Sequence, residues 1–115
     1  TPMPCIHTPR THIEHVNLIN GVTTNTTSDT LLGLPSAKTF WGEVTGTGAV
    51  SATVKIYGCR TATAANGVLV ATLSPSGTTT GVDAATASLA VYPYYYVVTE
   101  NVTGTGATVR VEVFY

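Results

Sequence analysis

The hexapeptide Val-Thr-Gly-Thr-Gly-Ala occurs twice in this chain, at residues 44–49 and again at residues 102–107. Each copy leads into a run with a period of two. In the first, Val50, Ala52, Val54 and Ile56 share one face, with Ser51, Thr53, Lys55 and Tyr57 opposite. In the second, Val109, Val111 and Val113 oppose Thr108, Arg110 and Glu112. Alternation of this kind belongs to half-buried strands. A polar, glycine-punctuated link between two such runs is the sequence form of a β-hairpin. The repeat therefore predicts two hairpins, half a domain apart, and commits the chain to β-sheet. It carries no chemistry.

The other segments agree in class. Residues 39–45 read as a strand, and residues 67–73 form a continuous apolar run suited to a strand buried on both sides. Residues 58–66 and 74–83 read as loops, and residues 84–91 as a weaker strand. Tyr92-Pro93 breaks the chain before a strand over 94–102, and Phe114 and Tyr115 close the last strand in the sheet or against a neighbour. Near the start, Asn20-Gly21 signals a turn. Residues 12–19 could pair as a strand, although Val16 and Leu18 share a face with Glu14. Pro2, Pro4 and Pro9 make the first ten residues an extended arm, because proline restricts φ and lacks a ladder donor. Short strands with turns every eight to twelve residues predict an all-β fold. The expectation is a single antiparallel β-sandwich of seven to eight strands over residues 23–115, jelly-roll or alternatively immunoglobulin-like, with an extended N-terminal arm over residues 1–22.

The length of 115 residues suits one domain with its own core. Charged residues make up 10%, while threonine supplies 23 positions and keeps exposed strand faces wet without charge. With a formal net charge of −1, such a surface repels its own kind weakly and suits permanent assembly. The five basic residues, Arg10, Lys38, Lys55, Arg60 and Arg110, are scattered, so no strip exists to neutralise a run of phosphates. No apolar run reaches membrane-spanning helical length, and no segment has the order of a signal peptide. Cys5 and Cys59 lie far apart and read as reduced thiols of a protein made in the cytoplasm, with a disulfide as the alternative.

Catalysis needs a nucleophile with a base, paired carboxylates or a metal. The carboxylates Glu14, Asp29, Glu43, Asp83, Glu100 and Glu112 form no local pair. Cys5, His7, His12 and His15 are zinc-type ligands, but their spacing matches no closed site and an arm with three prolines is a poor cage. They are read as contacts of the arm with a neighbour, together with Arg10. Tyr92, Tyr94, Tyr95 and Tyr96 cluster around Pro93. On a strand Tyr94 and Tyr96 share a face that Tyr95 opposes, so the four form no flat sugar platform. Core packing plus contact with a neighbouring subunit, with Tyr115 added, is the expectation. No cofactor, metal or catalytic residue is expected.

From about residue 23 to the end, the chain resembles a small β-sandwich domain of virion structural proteins of tailed bacteriophages. The resemblance rests on residues 23–28, 44–54, 56–58 and 70–73, on the Tyr-Pro-Tyr segment, and on residues 101–109. Family members often carry a Ser-Asn-Asp-Gly turn and a tryptophan after the Gly58 position, where this chain has Cys59-Arg60-Thr61 and Leu69. The resemblance implies no catalytic residues. It implies a capsid cement or decoration protein on the outside of a phage head, bridging major capsid subunits and forming a homodimer or homotrimer. A tail, neck or fibre-associated protein and a carbohydrate-binding module are the alternatives. No nucleic-acid, membrane or small-molecule partner is expected.

Overall fold

The computed structural model describes residues 15–32, 38–87 and 92–115. Among them there is no helix, and seven strands run in chain order. These are β1 (His15–Val22), β2 (Thr26–Thr27), β3 (Leu31–Leu32), β4 (Lys38–Cys59), β5 (Val68–Leu73), β6 (Ser76–Ala87) and β7 (Tyr94–Phe114). All pair antiparallel in one hydrogen-bonded sheet.

The predicted hairpins are absent. β4 and β7, of 22 and 21 residues, run straight through the two hexapeptides and pair with each other along their length. The copies lie side by side and antiparallel: Val44 faces Val109, Thr47 faces Thr105 and Ser51 faces Thr103. Toward the Lys38 end of β4 the order is β1-β7-β4-β6. Toward the Cys59 end it becomes β2 and β3, then β7-β4-β5.

The two halves are folded over on each other. A methyl built on Gly42 would lie 3.4 Å from Cγ2 of Val54 and 3.2 Å from Cδ1 of Leu73. Twelve residues of straight strand would hold Gly42 and Val54 about 40 Å apart, so β4 doubles back through the first hexapeptide. The fold line is written in the backbone. Gly48, Gly104 and Gly106 have φ of 73, 127 and 63°, and Thr79 of β6 has 61°. Register shifts fall at the same level, between Thr45 and Ala49 against β6 and between Thr45 and Thr53 against β7. Such bulges bend a strand without ending its pairing.

The glycines of each copy divide the work. Gly46 and Gly104 touch the opposing strand: a methyl on Gly46 would meet the Thr105 oxygen at 2.9 Å, and one on Gly104 the Ala49 oxygen at 2.8 Å. Gly48 and Gly106 have nothing within 4 Å and serve by their left-handed φ.

Folding over places the even positions of β4 and the odd positions of β7 in one core. Phe40, Val44, Val50, Val54, Ile56, Val97, Val109, Val111 and Val113 are buried there, and Ile19 of β1 and Leu73 of β5 join them. β1 belongs to the sheet, with Ile19 opposite Val111, so the stretch assigned to the arm contributes a strand from His15 onward. Residues 76–83, expected as a loop, are strand in β6. Their run of glycine and threonine has no alternation to read, yet Gly81 approaches the Ser76 backbone too closely for any side chain.

Candidate interaction surfaces

Alternation splits the tyrosines between the two faces of β7, as expected, and turns most of their surface inward. Tyr95 is buried in the core, its ring 6.0 Å from Phe40 and edge-on to Tyr92 at 5.9 Å. Tyr96 is buried on the other face, stacked on Tyr57 at 5.2 Å with 17° between planes. Its hydroxyl accepts the Gly67 N–H at 3.0 Å, which ties down the connection between β4 and β5. Tyr92 is half-buried and its ring lies against Gly58, where an added methyl would collide with Cδ2. Tyr94 and Tyr115 are half-buried, and Tyr115 packs against the core. Tyr92, Tyr95 and Tyr96 thus pack within the domain, against Phe40, Tyr57, Gly58 and the β4–β5 connection. His15 is exposed, its ring 6.1 Å from Phe114. Cys5, His7, Arg10 and His12 lie outside the described residues. Cys59 is a buried free thiol that donates to the Thr61 carbonyl at 3.3 Å.

Beside Tyr95 sits Lys38, buried, with its Nζ 5.6 Å from the ring centroid. Burial holds its ammonium below the usual value of 10.5. The unfolded chain therefore binds the proton more tightly than the folded one. Stability gained from this group rises with pH from the lowered folded value up to about 10.5 and is flat below both. Urea midpoints measured from pH 8 to 10.5 are expected to climb in the wild type relative to Lys38→Met. A pH-independent difference between the two proteins would remove this account.

The described carboxylates are structural or solvated. Asp83 accepts the Ser74 and Ala84 N–H groups, each at 2.9 Å, and Glu100 pairs with Lys55 at 2.9 Å across the β4–β7 ladder. That pair is partly exposed, and exposed pairs contribute little. Among the described residues no three His, Cys, Asp or Glu side chains converge as a metal site would require. A recess of about 150 Å³ is lined by Gly21, Glu43, Thr45, Thr108 and Arg110, and a shallower one of about 310 Å³ by Arg60, Thr61, Ala65 and Asn66. On the floor of the first, the Thr45 and Thr108 hydroxyls meet at 3.3 Å.

The surface that the sequence did not disclose is β5. Its apolar run predicts burial on both sides, but the strand pairs only with β4 and stands at the sheet edge. Val68, Leu69 and Val70 are 57, 51 and 38% exposed, and Val82 of the edge strand β6 is 49% exposed. Trp41, at 36%, lies on β4 opposite Ala84, diagonal to Val82. An apolar run marks a strand that is covered. Whether the cover comes from the same chain or from another is not encoded in the run itself.

No known protein family matches this chain, and no curated protein does. Among solved structures it is similar to the SPBc2 prophage-derived protein YomS, with a TM-score of 0.53 at 16% identity, covering 90% of this chain and 94% of that one. It also overlaps a structure of the infectious bursal disease virus Gx strain, with a TM-score of 0.42 at 10% identity, covering 90% of this chain and 32% of that one. The first likeness is one of fold, matched nearly end to end. The second is too distant to bear on the fold.

Proposed function

We propose, starting from a fold shared with a prophage-derived protein, that this chain is a bacteriophage virion structural protein. More narrowly, it is a cement or decoration protein on the outside of the head, bridging major capsid subunits and associating with itself as a dimer or trimer. The observation that carries the reading is the near end-to-end match to YomS. A chain with only 10% charged residues, suited to lasting contact rather than free life in solution, supports it. On this reading the doubled-over sheet is a β-sandwich of jelly-roll type, and the chain works by what it adheres to, with no catalytic step, cofactor, nucleic acid or membrane.

Residues 1–14 are assigned to the capsid contact, with Cys5, His7, Arg10 and His12 among the groups available for it. The test is cryo-electron microscopy of heads mixed with the full chain or with residues 15–115. The cut stops at residue 14 because β1 begins at His15 and Ile19 is buried in the core. The full chain is expected to decorate the outer surface of heads in many copies. The shortened chain should retain its sheet by circular dichroism and leave heads bare. Full decoration by the shortened chain would overturn the role of the arm. Density confined to the tail or one vertex would place the protein in the tail or neck instead.

A further inference from the structure

We infer that the β5–β6 margin is the surface through which two copies of this chain meet, strip against strip about a twofold axis. This deepens the self-association proposed above but does not depend on where in the virion the protein sits. β5 and β6 each pair with β4 alone, on the same side of it, and are joined through Ser74 and Pro75. Four of the five large apolar side chains exposed among the described residues stand on these two strands. The margin formed by β1 differs: Asn17 and Asn20 are exposed there and Ile19 is buried. On β5 the register slips between Ile56 and Tyr57, leaving Val70 as the extra residue of a bulge. The bulge interrupts alternation, so three consecutive apolar side chains are presented, and the contact is made by side chains rather than by an added ladder.

The choice of a second copy rests on charge. From Thr61 to Val82 the chain has no charged residue, and the one charge of β6, Asp83, is held by the Ser74 and Ala84 N–H groups. A twofold contact sets the patch against a copy of itself, residue i of one against residue j of the other, so a patch carrying charge of one sign would face charge of the same sign. A strip free of charge over this length suits self-pairing and offers nothing to complement a charged partner. The exposed apolar strip is small beside the roughly 800 Å² per partner of a standard interface. Association in solution is accordingly weak and concentration-dependent, and it becomes effective where copies are held side by side.

Sedimentation velocity on the full chain, from micromolar to millimolar concentration, tests this. The wild type is expected to move from monomer toward dimer. Leu69→Lys should weaken the association by at least about tenfold, because each copy would bring a lysine into the same apolar contact. Asn20→Lys on the opposite margin should behave as the wild type. Leu69→Ser, smaller and uncharged, serves if the lysine variant loses its sheet. A wild type that stays monomeric, a Leu69 variant that associates unchanged, or a trimer would each overturn the proposal. Decoration of heads is read separately by microscopy, so self-association and capsid binding can fail independently.

Discussion

Gly104→Val is expected to lose about 2–6 kcal/mol of stability, and Gly46→Val about 1–3 kcal/mol. At φ 127° Gly104 occupies backbone space that residues with a side chain scarcely enter, at a cost of about 1–3 kcal/mol. Its added carbons would also press on the Ala49 oxygen at 2.8 Å and the Val50 Cα at 3.2 Å, which belong to the facing backbone and cannot rotate away. Overpacking of that kind adds about 1–3 kcal/mol. Together these remove a substantial part of the stability of a small domain, about 5–15 kcal/mol. Gly46 is blocked by the Thr105 oxygen at 2.9 Å and the Ala107 Cα at 3.0 Å. The second glycine of each copy provides the contrast. Gly48→Asn and Gly106→Asn keep a left-handed φ that asparagine tolerates and enter open space, so each should cost about 1 kcal/mol or less. Thermal melts of the four variants decide the matter. If both glycines of a copy prove equally tolerant, the two strands do not cross through the hexapeptides as described.

Tyr95→Ala is expected to lose about 3–5 kcal/mol, the range for emptying a buried aromatic site. Its ring fills the space between Phe40, Tyr92 and the Lys38 ammonium, and its removal leaves a lysine buried beside a void. Tyr94→Ala, one residue away and half-buried on the other face, should cost about 1 kcal/mol. Urea denaturation of the pair measures the difference. Equal losses would mean that the tyrosine segment does not alternate between core and surface.

The tyrosine segment shows how far alternation can be read. That Tyr95 opposes Tyr94 and Tyr96 follows from the period of a strand. That the Tyr96 face is closed by the connection through Gly67 does not, because the covering residues are 29 positions away. β5 shows the converse. Its apolar run reads as a strand buried on both sides, but the chain folds with that strand at an edge, where Val68, Leu69 and Val70 are exposed. Hydrophobicity records that a surface wants a partner and carries no mark of whose.

What the sequence determined alone was the all-β class, the antiparallel alternation, and the core faces carried by Val50, Ala52, Val54 and Ile56 and by Val109, Val111 and Val113. These depend on neighbours two residues apart. Only the tertiary structure decided whether each hexapeptide ends a strand or bends it. A three-residue turn over Gly46–Gly48 and an unbroken strand leave the even positions on the same face, so the pattern of side chains is identical in both. The choice is made by pairing between β4 and β7 at and beside the copies, Thr47 against Thr105 and Val44 against Val109. Pairing over such a separation is favourable only once the rest of both strands has come together.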